Sequence, residues 1–253
     1  MRTPEGDKNI ISEGAKSSVQ KRGDSRAVLA LVILLSVIAG STDIIGFLGL
    51  NGLFTAHITG NLVIVAAHIV SGEGAQVAAL LSVPVFILVV SLTRVLAGGL
   101  QSKGFEALRP LLLLQFLLLT GFLTVCVTAG QRIDSNAPNA ILAGMLGVSA
   151  MAVQNALVQI SLRDAPPTAL MTNNVTRFAM DVGEMLVGSD PTQVAAARTR
   201  AARTLPAIFG FGLGCAIGAA YEAKIGVWSL ALPAGLALLA FFVGFAAKPD
   251  SAG

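Results

Sequence analysis

From Pro110 to Gly130 the chain carries no charged side chain. As a helix this run rises about 30 Å, the thickness of a bilayer's hydrocarbon core. Comparable uncharged or nearly uncharged runs lie at Ala27 to Leu50, Ala75 to Leu100, Pro138 to Ile160, Leu205 to Glu222 and Val227 to Ala247. A backbone in lipid has to satisfy its own hydrogen bonds, so runs of this kind fold as helices. Soluble priors fail on composition, since the 253 residues are 54% hydrophobic and only 12% charged. The 27 glycines exceed the ordinary share of about 7%, as closely packed membrane helices require. The expected fold is all-α, a polytopic membrane protein surrounded by the lipid bilayer.

Two further segments are shorter and more polar: Phe54 to Ser71 and Thr168 to Gly188. Asn51-Gly52, the Ser-Gly-Glu-Gly stretch at 71–74 and Pro166-Pro167 supply turns or breaks. Pro84 marks a kink, and Arg198, Arg200 and Arg203 an Arg-rich loop before the seventh segment. About eight helical segments result, either as six crossings plus two short polar segments or as up to eight crossings. Residues 1–26, with basic Arg2, Lys8, Lys16, Lys21, Arg22 and Arg26, read as a disordered cytoplasmic tail, and 248–253 as a short C-terminal tail. A signal peptide ending at Val37-Ile38-Ala39 is the alternative; a retained helix is preferred because the apolar run resumes at Ile44.

The two polar segments resemble each other. TAHITGNLVIVA (55–66) and TALMTNNVTRFA (168–179) coincide at Thr55/Thr168, Ala56/Ala169, Thr59/Thr172, Asn61/Asn174 and Ala66/Ala179. Upstream, Asp43 occupies a place much like that of Asn155. The chain therefore divides into membrane repeat one (27–130) and membrane repeat two (138–247). Basic residues then choose between topologies. If all segments cross, they fall evenly on both sides. If the two polar segments do not, only Arg132 and Lys224 lie outside, while Arg94, Lys103, Arg109, Arg163, Arg177, Arg198, Arg200, Arg203 and Lys248 are cytoplasmic. Six crossings follow, with both termini cytoplasmic and the second repeat inverted, a recurrent plan among transporters.

Asp43-x-x-Gly46-Phe47, followed by Phe54-Thr55-Ala56-His57-Ile58-Thr59-Gly60-Asn61-Leu62, resembles the signature of the YoaK family of bacterial integral membrane proteins. The likeness extends over 28–247. It implies a multi-pass protein of the bacterial cytoplasmic (inner) membrane and supplies neither substrate nor reaction.

Asp43, an ionisable group in an apolar run, is the leading site candidate. Thr55, His57, Thr59 and Asn61 crowd one helix start, where free N–H groups suit an anion or a carbonyl; plain capping is the competing explanation. The second set is Gln154, Asn155, Thr168, Thr172, Asn173 and Asn174, and from Asn173 one stripe runs on through Arg177, Asp181 and Glu184. Arg177 and Asp181 are spaced for an intrahelical ion pair. That stripe reads either as the solvated face of an interfacial helix or as a pathway lining.

His57 and His68 lie about 16 Å apart along a helix, and neither has a carboxylate or thiol at ligand spacing, so no metal site is expected. Cys126 and Cys215, within apolar runs, read as reduced thiols. Gly210, Gly214 and Gly218 repeat a GxxxG spacing suited to close packing, with a homodimer seam as one use. No cofactor, no nucleic-acid partner and no enzyme constellation is expected. The functional expectation is a small secondary transporter of an unknown small solute, its site between the paired polar helix starts. The alternative is a non-transporting scaffold or sensor.

Overall fold

The computed structural model describes residues 4–72, 76–130 and 136–247, with side chains from Arg26 onward. The C-terminal tail, the basic side chains of the N-terminal lead other than Arg26, and Arg132 lie outside the described residues. Described residues form helices and turns, without strands. In order they are α1 (Pro4–Gly49), α2 (Ile58–Ser71), α3 (Val77–Ser102), α4 (Leu108–Ala129), α5 (Pro138–Ser161), α6 (Met171–Val187), α7 (Pro191–Ile225), a 3-10 turn (Gly226–Leu230) and α8 (Ala231–Val243). Two differences from the sequence reading stand out. The lead expected to be disordered is helical in its backbone from Pro4. Its Lys, Glu, Gln and Ala residues propagate a helix that the apolar part has already nucleated.

The expected Arg-rich loop is the first half of α7. Asp190 accepts a hydrogen bond from Thr192 N at 2.8 Å, and Pro191 sits at the first helical position, which together start the helix early.

Five stretches are long and apolar enough to cross a membrane: Arg26–Gly49, Val77–Ser102, Leu108–Ala129, Pro138–Ser161 and the 53-residue tract Pro191–Val243, which holds α7 and α8. α2, with 14 residues, spans about 21 Å. α6 carries Arg177, Asp181 and Glu184 among its 17 residues. Neither qualifies as a span.

α1 packs on α7 and α8, α5 on α3 and α4, α2 on α3, α6 on α7, and α4 on α8, while α1 and α5 touch along a narrow seam. α5 lies deepest, 72% of its apolar window being buried against 17% for α3. The outer face of α3 exposes Ile87, Leu88, Leu92 and Val95, as lipid contact demands. Glycine makes the α1–α7 approach possible. A Cβ on Gly214 would sit 2.3 Å from the Val37 carbonyl oxygen, and one on Gly40 only 2.2 Å from that of Phe211. Gly210 and Gly218 are likewise buried against α1. The glycine stripe therefore packs within the chain, against α1.

Candidate functional site

α1 ends because Asn51 (φ 54°) and Gly52 (φ 93°) adopt left-handed backbone, and Gly52 N closes onto Phe47 O at 2.8 Å. The chain then runs back beside α1 without helical structure before α2 begins. Asp43 pins this break. Its Oδ1 accepts from the backbone N–H of Thr55 at 2.8 Å, of Ala56 at 2.7 Å and of His57 at 3.4 Å. Its Oδ2 meets His57 Nδ1 at 2.6 Å, so one proton lies between carboxylate and imidazole.

Asn61 makes the second pin. Its amide clasps Phe54 at both ends, accepting from Phe54 N at 2.9 Å and donating to Phe54 O at 2.8 Å, and it also donates to Ser82 Oγ of α3 at 2.9 Å. Gly46 and Gly147 leave the room that Thr55 fills, since a Cβ on either would lie 2.9 Å from Thr55 Cγ2. Irregular backbone in a membrane protein is tolerated only where the protein itself satisfies it, and here it does.

The second break separates α5 from α6. Asn174 donates to Pro167 O at 2.6 Å, seven residues back, as Asn61 does to Phe54. Residue 167 is proline and has no N–H, so Asn174 Oδ1 is buried without a donor. Gln154, rather than Asn155, reaches this break. Gln154 Nε2 donates to Thr168 Oγ1 and to Leu35 O, both at 2.8 Å, and Gln154 Oε1 accepts from Gln115 Nε2 at 2.7 Å. Asn155 instead bonds Met151 O of its own helix.

The residues expected to line one pathway divide between two cavities with no lining residue in common. A cavity of about 380 Å³ holds Asp43, Phe54, His57, Phe211 and Cys215. An open cleft of about 700 Å³ holds Asn174, Arg177 and Asp181 between α6 and α7. Thr55, Asn61, Thr168 and Gln154 are buried pins, whereas Thr59, Thr172 and Asn173 are exposed. The expected Arg177–Asp181 pair gives way to one between helices. Arg200 of α7 places Nε at 2.9 Å and Nη2 at 2.7 Å from Asp181 Oδ1. Because α7 begins at Pro191, Arg200 stands across from the carboxylate.

α2 packs chiefly on α3, and α6 on α7. The non-helical stretch ahead of each adds one alanine, Ala56 and Ala169, to the same extended buried core. Sequence reasoning missed Ser82 and Gln115. A lone amide in the leucine-rich run 110–130 was the available signal for Gln115. Ser82 offered none. The described residues include no group of three or more His, Cys, Asp or Glu placed to hold a metal ion.

Fold and site together define an all-helical protein with membrane-length apolar helices and two short helices entered through pinned breaks. Its residues 31–243 match the model of the family described as "Protein of unknown function (DUF1275)", and the chain belongs to that family. No curated protein and no solved structure matches it.

Proposed function

We propose that the chain is a small secondary transporter built from two equivalent halves, 27–130 and 138–247, the second inverted relative to the first. The observation that carries this reading is the pair of helix breaks, each closed by an asparagine bonded to the backbone seven residues back. Broken helices at corresponding positions of two halves are how many transporters build a site near mid-membrane. The packing supports it too. Exchanging α1–α4 for α5–α8 turns the α1–α7 contact into α5–α3, α1–α8 into α5–α4 and α2–α3 into α6–α7, while α4–α8 and α1–α5 map onto themselves.

The short α2 and α6 and the distribution of basic residues favour six crossings with both termini in the bacterial cytoplasm. The YoaK likeness agrees with that placement. Asp43 and His57 beside the smaller cavity form the proton-carrying pair in this reading, and the solute is a small molecule.

Proteoliposomes with an entrapped pH dye, challenged with a panel of small carboxylates, amines and sugars, test it. One solute class should drive a pH change that Asp43→Asn abolishes while the fold survives, because asparagine keeps an acceptor for the break. Flux unaltered by that substitution removes the proton role. Cysteines at 51–54 and 72–74 should label from the same face; opposite faces exclude six crossings.

A second reading has an observation of its own. Both Asp43 oxygens already serve the break and His57, as a purely structural pin would. In that case the protein is a scaffold or sensor, no panel member moves, and deletion of residues 1–26 is what abolishes function.

A further inference from the structure

The first half of α7, the middle of α6 and the turn before α6 frame an open cleft. α7 has 35 residues, about 52 Å of helix, roughly 20 Å more than a bilayer core accommodates. Its surplus is the stretch bearing Arg198, Arg200 and Arg203, ahead of Pro206. α6 lies along this stretch through the Arg200–Asp181 pair and turns Leu186 and Val187 outward, at 79 and 82% exposure, while Met180 borders the cleft. An amphipathic helix with such a face belongs at the headgroup level.

We propose that this cleft binds a phosphate ester that also carries an ammonium group. It shares no residue with the Asp43 cavity, and the proposal goes beyond transport and stands apart from it. Arg163, Arg177 and Arg203 line the cleft, and no described carboxylate lies within ion-pair distance of any of them. Arg200 is held by Asp181 through Nε and Nη2, which leaves Nη1 free on a side chain that is more than half exposed. Planar guanidinium donors converging on an open cleft suit phosphate oxygens.

The same cleft carries Asp164 and Glu184, also without an ion-pair partner among the described residues. Those acceptors disfavour a bare anion and suit an ammonium with N–H groups. A lipid headgroup and a soluble aminophosphate share this chemistry. The apolar outer face of α6 offers a place for acyl chains in the lipid case.

The test uses the full-length protein. In detergent it is titrated with phosphoethanolamine, phosphocholine, ethanolamine and inorganic phosphate, read by thermal shift. In parallel it is reconstituted with phosphatidylcholine alone, or with phosphatidylethanolamine or phosphatidylglycerol added, and retained lipid is read by native mass spectrometry. Phosphoethanolamine, or phosphatidylethanolamine, should bind in preference to the other compounds of its series. Arg177→Gln with Arg203→Gln, both exposed positions, should weaken that binding at least about tenfold. A response to the soluble compound alone identifies a free metabolite; a response to the lipid alone identifies a headgroup site. Three results overturn the proposal: neither source binds, inorganic phosphate and phosphatidylglycerol bind as well as the amine-bearing compounds, or the double variant binds unchanged. If the double variant does not fold, the wild-type ranking of the soluble compounds still decides.

Discussion

The two helix breaks solve one problem with different means. Each interrupts a long apolar helix, turns back, and starts a short helix whose first-turn asparagine grips the backbone seven residues earlier. In the first, a carboxylate from α1 takes the approaching N–H groups, and Phe54 offers both N–H and C=O to Asn61. In the second, the position 113 residues after Asp43 is Ala156, and proline has removed the N–H at 167. An amide network through Gln154 and Gln115 supports Thr168 instead. The first break is thus over-determined and the second is not.

The largest effect should come from Asp43→Ala, which strands three backbone N–H groups in a buried place. We expect a loss of about 3 kcal/mol or more, measured by thermal or denaturant unfolding in detergent. Asp43→Asn should lose far less, and equal losses would mean that the charge, and not the acceptor, holds the break. The asparagines should then differ in the same direction. Asn61→Ala removes three side-chain bonds and should cost about 2–3 kcal/mol, whereas Asn174→Ala removes one good bond along with an unsatisfied oxygen and should cost about 1 kcal/mol. Equal costs would erase the asymmetry.

Pro167→Ala turns the comparison around. It restores an N–H where Asn174 Oδ1 waits for one, a gain of about 1 kcal/mol set against a smaller rise in unfolded-chain entropy. The expected outcome is an unchanged or slightly higher melting temperature, with Asn174→Ala becoming more costly in that background. A double-mutant cycle without such coupling would show that the orphaned oxygen has another explanation.

The pattern of long and short helices was legible because bilayer thickness and backbone satisfaction leave few options. Asparagine and threonine at matching places in two apolar contexts also announced the breaks. Partner identity was not legible. Spacing along α6 offered Arg177 to Asp181, but the ion pair formed with Arg200 because Asp190 and Pro191 start α7 early enough to bring it alongside. Nor did spacing say that Gly214 packs against Val37 of α1. Gln154 displaced Asn155 as the pin because Asn155 bonds its own helix. Which residue on a helix faces a break depends on packing rotation, and a run of apolar side chains does not encode it.

The smallest expected effect concerns a third way of starting a helix here. α2 is begun by a buried carboxylate from another helix, α7 by the partly exposed Asp190 next to it in sequence. Bonds from the Thr192 hydroxyl, and then from Thr192 N, hold the Asp190 carboxyl below its ordinary 3.8. A carboxylate whose folded value is depressed stabilises the fold fully above the unfolded value, and that contribution fades as pH falls through the folded one. The melting-temperature gap between wild type and Asp190→Ala should therefore hold from neutral pH down to about pH 4 and narrow below it. A gap that stays constant through that range would mean that the neutral acid caps α7 equally well, and the contrast between a local, partly exposed cap and the buried pin at Asp43 would lose its electrostatic basis.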